Sequence, residues 1–543
     1  MSRSFLTAEV DDRRAKGWPR LKTLDHVRRV ALLMLGALVL LGWLATRTEV
    51  FYADGLRYIR QAKMLDQGAW NRGLFQAVDH PVYPLAITAG HRLLGGNQPV
   101  DWQWAAQFAA VVAGVLVIIP IYLIAIELIG PSAAWLPCFL IYAMPLHVHV
   151  MADTLSESWY LLFWSLAVWT TLRFVKTARL AWLAPVIGFS VLAYLTRPEG
   201  LIVPVSLLAT LGVFWLRPHL EFPRFARYAA IAVLFLGPIL AAGPFIIAKG
   251  GISTKPSLKR VLSLTSRAPA MAIERERPGD PDQPRYMALL LATKAMMRSV
   301  QGAATLPILV LAPIGIAVSR PTNERRRAWM LVAIMVTLSL LSMIRLHETS
   351  GYCTPRHAMM VGWLAIIAGA AGIGPAGNFL GKLIVRIAAG RAWAGRLSSL
   401  LQPAFLAGCL FTWLPATTAP MDRCFIGYRQ AGEWLAAQAG PNEAVIDPKG
   451  FSLFYAGRTG YTFATLGEGL NDRRVRWLVT HDAHLNGPWD YSKLVRGLSG
   501  DRRPMRTFPE TAERGIARVY VYDLTQPLDR TAAQVGDSTQ TLH

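Results

Sequence analysis

Asp54 is the side chain best placed to do chemistry. It lies in the run Phe51-Tyr52-Ala53-Asp54-Gly55, a few residues past the first long apolar stretch, so its carboxylate sits close to a water boundary and can ionise there. A carboxylate in that place can take a proton from a nucleophile that attacks a lipid-carried substrate. It also suits a helix start. Asp is a favoured N-cap, and between Leu56 and Met64 apolar residues recur at helical spacing with Arg57, Arg60 and Lys63 interleaved, as in a helix lying along an interface. Position alone leaves base and cap equally open.

Further polar clusters interrupt apolar runs. They are His147 to Glu157, containing His149, Asp153 and Glu157; Thr196-Arg197-Pro198-Glu199-Gly200; and His347-Glu348 on through Tyr352-Cys353-Thr354-Pro355-Arg356-His357. Ionisable groups near membrane depth are costly, so their convergence on one surface reads as function. Plainer roles stand beside that reading. Arg197 and Glu199 suit an ion pair at a Pro-broken turn, and Asp153 and Glu157, one helical turn apart, could share a metal but more simply cap or pair. His147, His149, His347 and His357 suit interfacial or hydrogen-bonded places better than metal ligation. The segment 249–298 holds ten Lys and Arg, with Lys255, Lys259, Arg260 and Arg267 best suited to an anionic partner. Arg offers phosphate two parallel hydrogen bonds and Lys a mobile point charge, although anionic headgroups would attract the same loop. Arg356 is the sharper candidate for a phosphate.

The elements that must hold these groups follow from composition. Of 543 residues 53% are apolar and 17% charged, against about 25% charged in a soluble domain. A cytosolic enzyme and a disordered chain are both excluded. The formal charge is +22, yet the stretch from Thr418 onward contributes only +1, so the basic excess lies beside the apolar portion and favours membrane over nucleic acid. Four cysteines without ligand-pair spacing argue against a zinc site or a disulfide framework; Cys353 and Cys424 could pair but read better as unrelated thiols. The basic start, Met1 to Arg29, runs into an apolar stretch without a small-residue cleavage site, as in a signal anchor.

Apolar runs predict eleven spans, near Val30–Thr46, Trp104–Ile126, Ala133–Leu146, Ser158–Leu172, Leu180–Leu195, Leu201–Leu216, Tyr228–Ala248, Ala303–Val318, Ala328–Ile344, Ala358–Ile373 and Leu400–Leu414. Their apolarity is continuous rather than alternating, so they are helices and not barrel strands. Connections 173–180, 217–227, 320–327 and 377–398 carry fourteen Lys and Arg, whereas the alternate connections carry only Arg197, Arg345 and Arg356. The fourteen-residue side is therefore expected in the cytoplasm with the N-terminus, and the polar motifs outside. The ten basic residues of 249–298 run against this rule, which long loops can escape. From about Thr418 a small α/β domain is expected, with a helix near Tyr428–Ala439 and strands near Ala444–Ile446, Trp477–Thr480 and Ala517–Val521. It reads as a lid or an acceptor-docking module.

Several of these segments carry a family resemblance. Tyr52-Ala53-Asp54-Gly55 with Tyr58 and Ala62, His80-Pro81-Val82-Tyr83-Pro84-Leu85, Leu195-Thr196-Arg197-Pro198-Glu199-Gly200-Leu201, Tyr352 to Arg356, and Trp434 with Phe454-Tyr455-Ala456-Gly457-Arg458 resemble motifs of the GT-C membrane glycosyltransferases. The likeness is to the bacterial branch similar to protein O-mannosyltransferases and aminoarabinose transferases. It implies an inverting hexosyl or pentosyl transfer from a polyprenyl-phosphate sugar to a lipid, glycan or protein acceptor, with Asp54 as general base. Tyr58, His80, Tyr83, Arg197, Glu199, Tyr352, Arg356, Lys255 and Arg260 become candidate substrate-binding residues. No cofactor is certain from the resemblance, and a divalent metal stays possible. Two positions depart from the pattern: Gly55 stands where many members have a second acidic residue, which puts an acid-bridged metal in doubt, and Val82 follows His80-Pro81 in place of a second proline.

The expected fold is thus an α-helical polytopic membrane protein of about eleven transmembrane helices, GT-C-like, with a small C-terminal α/β domain. Residues 1–29 form a cytoplasmic segment, 30–417 the membrane domain with outer loops at 47–103 and 249–302, and 418–543 the extracytoplasmic domain, all at the inner membrane. A transporter or lipid flippase is the rival reading. It would place its polar residues near the bilayer midplane with access from both sides, whereas here they gather at one face.

Overall fold

The computed structural model describes residues 20–217, 222–252, 285–320, 322–387, 392–487 and 490–525. Lys255 and Arg260, with much of the 249–302 loop, lie outside the described residues. The first helices are α1 (Arg20–Arg47), α2 (Asp54–Asp66), α3 (Val82–Leu94), α4 (Pro99–Leu116), α5 (Ile118–Ile129), α6 (Trp135–Ala143), α7 (Pro145–Ala152), α8 (Glu157–Thr177) and α9 (Leu183–Tyr194). There follow α10 (Ile202–Leu216), α11 (Arg224–Lys249), α12 (Arg285–Ala304), α13 (Leu306–Val318), α14 (Asn323–Ser350), α15 (Met359–Ile387), α16 (Ala392–Thr417), α17 (Ile426–Gln438) and α18 (Phe451–Ala456).

Among the described residues seven helices are long and apolar enough to cross a membrane, or nine if each of two sharply bent pairs counts as one span. The protein is polytopic. All eleven expected segments fall on helices, but Ser158–Leu172 and Leu180–Leu195 lie on α8 and α9, which are not among the nine. The segment expected at Ala133–Leu146 is not one straight helix: α6 and α7 meet at 79°. Met144 is extended there and Pro145 opens the next helix, where a missing N–H costs nothing. A second break of 84° separates α12 from α13, at Thr305 with φ 58° and Pro307 in the following first turn.

Five strands, β1 (Ala444–Ile446), β2 (Gly460–Tyr461), β3 (Val475–His481), β4 (Arg506–Phe508) and β5 (Val519–Asp523), form one sheet in the order β2-β1-β3-β5-β4. β1 runs parallel to β2 and β3, and β5 antiparallel to β3 and β4. The three expected strands and the expected helix, now α17, are all present.

One apolar core fills the helical bundle around Leu41, Trp164 and Trp363. A second core joins α2 and α3 to the C-terminal sheet region, with Phe51, Tyr58 and Tyr83 in the same cluster as Tyr428, Phe451 and Val519. The Phe51 ring meets Phe451 and Phe454 edge-on at 5.8 and 5.1 Å. Polar ties reinforce the contact. Arg429 donates to the Glu49 carbonyl at 2.9 Å, and the Tyr455 hydroxyl donates to Gln103 Oε1 at 2.9 Å. The segment leading into Asp54 is therefore held from both sides.

The C-terminal sheet carries its own acid sensitivity. Burial, with the Lys449 ammonium nearby, lowers the His481 imidazole to about 4. Burial, then the His481 ring and Lys449, lowers His484 to about 2. Asp447, a buried carboxyl on the loop after β1, is raised by burial to about 6, and Asp482 partly offsets the shift at His481. An unfolded imidazole titrates near 6.5, so below that pH the unfolded chain binds the additional protons and native stability falls. Acidification from pH 7 to 5 is expected to cost the two histidines together about 2–4 kcal/mol. Amide hydrogen exchange of β3, corrected for intrinsic rate, measures it, and His484→Phe should flatten the dependence. Equal protection at both pH values would contradict the buried neutral state.

Candidate active site

The turn between α7 and α8 is the seat of the site. Asp153 ends α7, and both its carboxyl oxygens accept the Tyr52 N–H, at 3.2 and 3.1 Å, two residues before Asp54. Ser156 and the Tyr58 hydroxyl are 3.0 Å apart. Between these ties Gly55 meets Thr154 so closely that a Cβ would collide with its Oγ1 and with the Phe51 ring. This explains Gly55: a second acidic side chain has no room at that position. Gly55→Ala is expected to destabilise the protein by about 1–3 kcal/mol. Pushing α2 outward by about 1 Å should lower turnover about 10²-fold. A thermal melt and an initial rate check both, and Thr154→Ala should recover part of the loss.

Burial, and next the Asp422 carboxyl beside it, push Asp153 well above the usual carboxylate range. Burial raises Asp422 too, and the two carboxyls hydrogen-bond each other, so a proton held between them spares the pair a second charge.

Asp54 does not cap α2. Ala53 occupies the cap position without a side-chain bond, and Asp54 is the first helical residue. Its carboxylate is instead part of an ion chain. Arg57 Nη1 lies 3.1 Å from Asp54 Oδ1 and its Nε donates to Asp79 Oδ2 at 3.0 Å. Arg356 Nη2 donates to Asp54 Oδ2 at 2.7 Å. Arg356 Nε also lies 3.0 Å from Glu157 Oε1, and its guanidinium sits 4.7 Å from the centre of the Tyr52 ring. Arg197 Nη1 donates to the same Glu157 oxygen at 2.6 Å, and its Nη2 donates to Glu199 Oε1 at 2.9 Å. The chain reads Asp79, Arg57, Asp54, Arg356, Glu157, Arg197, Glu199, alternating in sign throughout.

Local structure sets these positions. Pro355 opens a tight turn whose Thr354 side chain and His357 ring cap each other, which presents Arg356 between them. Pro198 does the same after Arg197, whose backbone is extended. Glu157 opens α8, where a negative charge suits the helix N-terminus. Glu157, Tyr160, Arg197, Arg356 and His357 line a recess of about 20 Å³, room for roughly one water. Arg356 Nη1 and Glu157 Oε2 are buried there without a hydrogen-bond partner among the described residues. A donor and an acceptor left unmade in one recess mark a place for a polar ligand.

The expected site residues divide. Asp54, Arg197, Glu199 and Arg356 come together in the ion chain. Tyr58 supports it from below through Ser156. Tyr83 does not reach the recess, because its hydroxyl donates to the Ala106 carbonyl and its ring packs on Tyr58 at 5.2 Å. His80 is buried against Tyr194 and Phe245. Tyr352 leans on His357, with ring centres 5.8 Å apart. Cys353 and Cys424 are separate thiols. His147 is a structural bridge: Trp363 donates to its Nδ1 at 3.1 Å, so Nε2 carries the proton given to the Ala303 carbonyl.

Arg57 and Asp79 were not singled out from sequence, and Glu157 was read there only as an acid that caps or pairs, as it does with Arg197 and Arg356. Arg57 stands three residues after Asp54, a spacing that signals a pair on one helix face. Asp79 was visible only as part of the His80-Pro81 run. Lys249 at the end of α11 adds a fourth cation, donating to the carbonyls of Ala77 and Asp79 at 2.8 and 3.1 Å.

A divalent metal does not fit at Asp54. Both its oxygens face guanidiniums and Gly55 offers no second carboxylate. Among the described residues no group of three His, Cys, Asp or Glu is placed to hold one.

Residues 79–242 match the family described as dolichyl-phosphate-mannose-protein mannosyltransferase. In structure the chain is similar to ArnT from Cupriavidus metallidurans bound to undecaprenyl phosphate, at 15% identity and a TM-score of 0.54, over 92% of this chain and 99% of that one. It is also similar to the oligosaccharyltransferase of Archaeoglobus fulgidus in its apo form, at 12% identity and 0.54, covering 83% and 69%. AglB from the same organism, in complex with an inhibitory peptide and a dolichol-phosphate, matches at 11% and 0.55, covering 85% and 70%. No curated protein matches by sequence. The fold is that of the GT-C glycosyltransferases.

Proposed function

We propose that this chain is an inverting glycosyltransferase that moves a sugar from a polyprenyl-phosphate donor to an acceptor, with Asp54 as general base. One observation carries the reading: the Asp54 carboxylate lies 2.7 Å from a guanidinium with a nitrogen still unmatched. Those are the two groups the reaction needs side by side. Asp54 removes the proton from the acceptor's hydroxyl or amine as that atom attacks the anomeric carbon. The bond from this carbon to the phosphate oxygen breaks, and its electron pair leaves with the phosphate. Arg356 then meets the charge that grows on the leaving oxygen, where a cation lowers the barrier most. Lys255 and Arg260 are proposed as additional phosphate contacts from the 249–302 loop, and Tyr352 as a contact at the mouth of the recess.

The lipid phosphates bound by ArnT and AglB support a lipid-phosphate donor, and the acceptor peptide tethered to the Archaeoglobus fulgidus oligosaccharyltransferase supports an acceptor distinct from the carrier lipid. The fourteen-to-three bias of Lys and Arg between alternate connections supports an extracytoplasmic site, with the N-terminus cytoplasmic and the sheet region from about Thr418 outside the inner membrane. The test is to incubate the purified protein in nanodiscs with a panel of polyprenyl-phosphate pentoses and hexoses and follow free lipid phosphate. Release of lipid phosphate with inversion at the transferred sugar is the expected result. No turnover across the panel, together with substrate flux in vesicles, would instead make the protein a transporter.

A further inference from the structure

The ion chain is complete without substrate, and that sets a condition on how the site can work. Four carboxylates alternate with three guanidiniums, and each guanidinium already touches two carboxylates: Arg57 has Asp54 and Asp79, Arg356 has Asp54 and Glu157, Arg197 has Glu157 and Glu199. Adding a phosphate anion to such a chain without displacing a carboxylate would crowd like charges. The recess beside Arg356 is about 20 Å³, enough for one water and far too small for a phosphoryl group. A phosphate that reaches Arg356 through this recess would open one pair.

Asp54 is the member that can be released most cheaply. Both of its cations have another carboxylate to fall back on, Arg57 on Asp79 and Arg356 on Glu157. Its side chain is 21% exposed, whereas Glu157 and Asp79 are 4% and 3% exposed. Opening the Arg356–Glu157 contact instead would leave a buried carboxylate with one partner fewer, a costly exchange. As it stands, both oxygens of Asp54 are engaged by guanidiniums, which leaves it badly placed to accept a proton.

Resting on the transferase reading above, we infer that the donor's lipid phosphate takes Arg356 over from Asp54. The carboxylate then becomes a base only in the donor-loaded protein, and Glu157 is the positioning residue that keeps Arg356 within reach of both. The order of events follows. Donor binds first, Asp54 is uncovered, and only then does an acceptor lose its proton.

The test labels carboxylates with a carbodiimide and an amine, and reads Asp54 by mass spectrometry in the full-length protein in nanodiscs, with undecaprenyl phosphate as the probe. Lipid phosphate is expected to raise Asp54 labelling at least about fivefold, and inorganic phosphate to raise it less, because it lacks the tail that concentrates the lipid phosphate in the bilayer. Arg356→Gln should label rapidly without lipid and show no response. Glu157→Gln should move the half-maximal lipid concentration upward at least about tenfold, since Arg356 is then left with Asp54 alone, and Glu157→Asp should recover part of the shift. A merely structural Glu157 would lower the melting temperature and leave that midpoint in place. Unchanged or slower labelling of Asp54 with lipid overturns the exchange. Transfer without a labelling response removes this inference and leaves the transferase intact; a labelling response without any sugar transfer removes the transferase and leaves the lipid-phosphate site.

Discussion

Asp54→Asn is expected to lower sugar transfer on the order of 10³-fold while the protein still folds and still binds lipid phosphate. The amide keeps the size of the carboxylate and can still accept one hydrogen bond from Arg356 Nη2, but it cannot take the acceptor's proton. Folding survives because Arg356 and Arg57 keep Glu157 and Asp79 as partners, so no cation is stranded. The loss should fall on kcat, since an interaction made only at proton transfer does not help the ground state bind. The measurement is a rate with saturating donor beside a thermal melt. A variant that keeps a tenth of the wild-type rate would show that some other group is the base, or that the acceptor arrives already deprotonated.

The second large effect belongs to Arg356. Replacing it by alanine is expected to reduce kcat/KM about 10²–10³-fold, as for the loss of one group that stabilises a developing oxyanion. Arg356→Lys should restore little. The arginine reaches Asp54 through Nη2 and Glu157 through Nε while its plane lies over the Tyr52 ring, and a single ammonium cannot fill three places at once. Stability should fall as well, because Glu157, 4% exposed, would keep only Arg197. The contrast with Asp54→Asn is diagnostic. Arg356→Ala should weaken binding of undecaprenyl phosphate in a direct binding measurement, whereas Asp54→Asn should leave it unchanged or tighter.

Much of the bundle was legible in advance, for a simple reason. A lipid-facing helix needs about twenty apolar residues, and that demand is written locally. The bends were not: Met144 turns the chain between two apolar helices, and Thr305 joins the mixed helix α12 to the apolar α13 without any break in the helical pattern of the sequence. In the sheet, β1, β3 and β5 announce themselves by apolar runs, while β2 is two residues long and β4 three. The site divides along the same line. Arg197–Glu199 and Asp54–Arg57 are neighbours within one turn and can be read from spacing. Asp54 and Arg356 are 302 positions apart, and Glu157 and Arg197 are 40 apart. Only the packing of α2 on the α7–α8 turn, with the Pro355 turn beside it, decides that they meet. The cap role for Asp54 was a fair alternative from sequence, and it gave way because Ala53 takes the cap position and the Asp54 carboxylate turns to two guanidiniums.

The aromatic junction of Phe51 with Phe451 and Phe454 also governs how the chain can be divided. Cutting the polypeptide after α16 would strip the cover from Phe51, strand the Glu49 carbonyl that Arg429 now satisfies, and leave a greasy face pointing into water. The residues just upstream of Asp54 would then be gripped from one flank only. Membrane part and tail are better regarded as two halves of a vice than as a catalyst with a detachable accessory, so neither half is a sound starting point for engineering on its own.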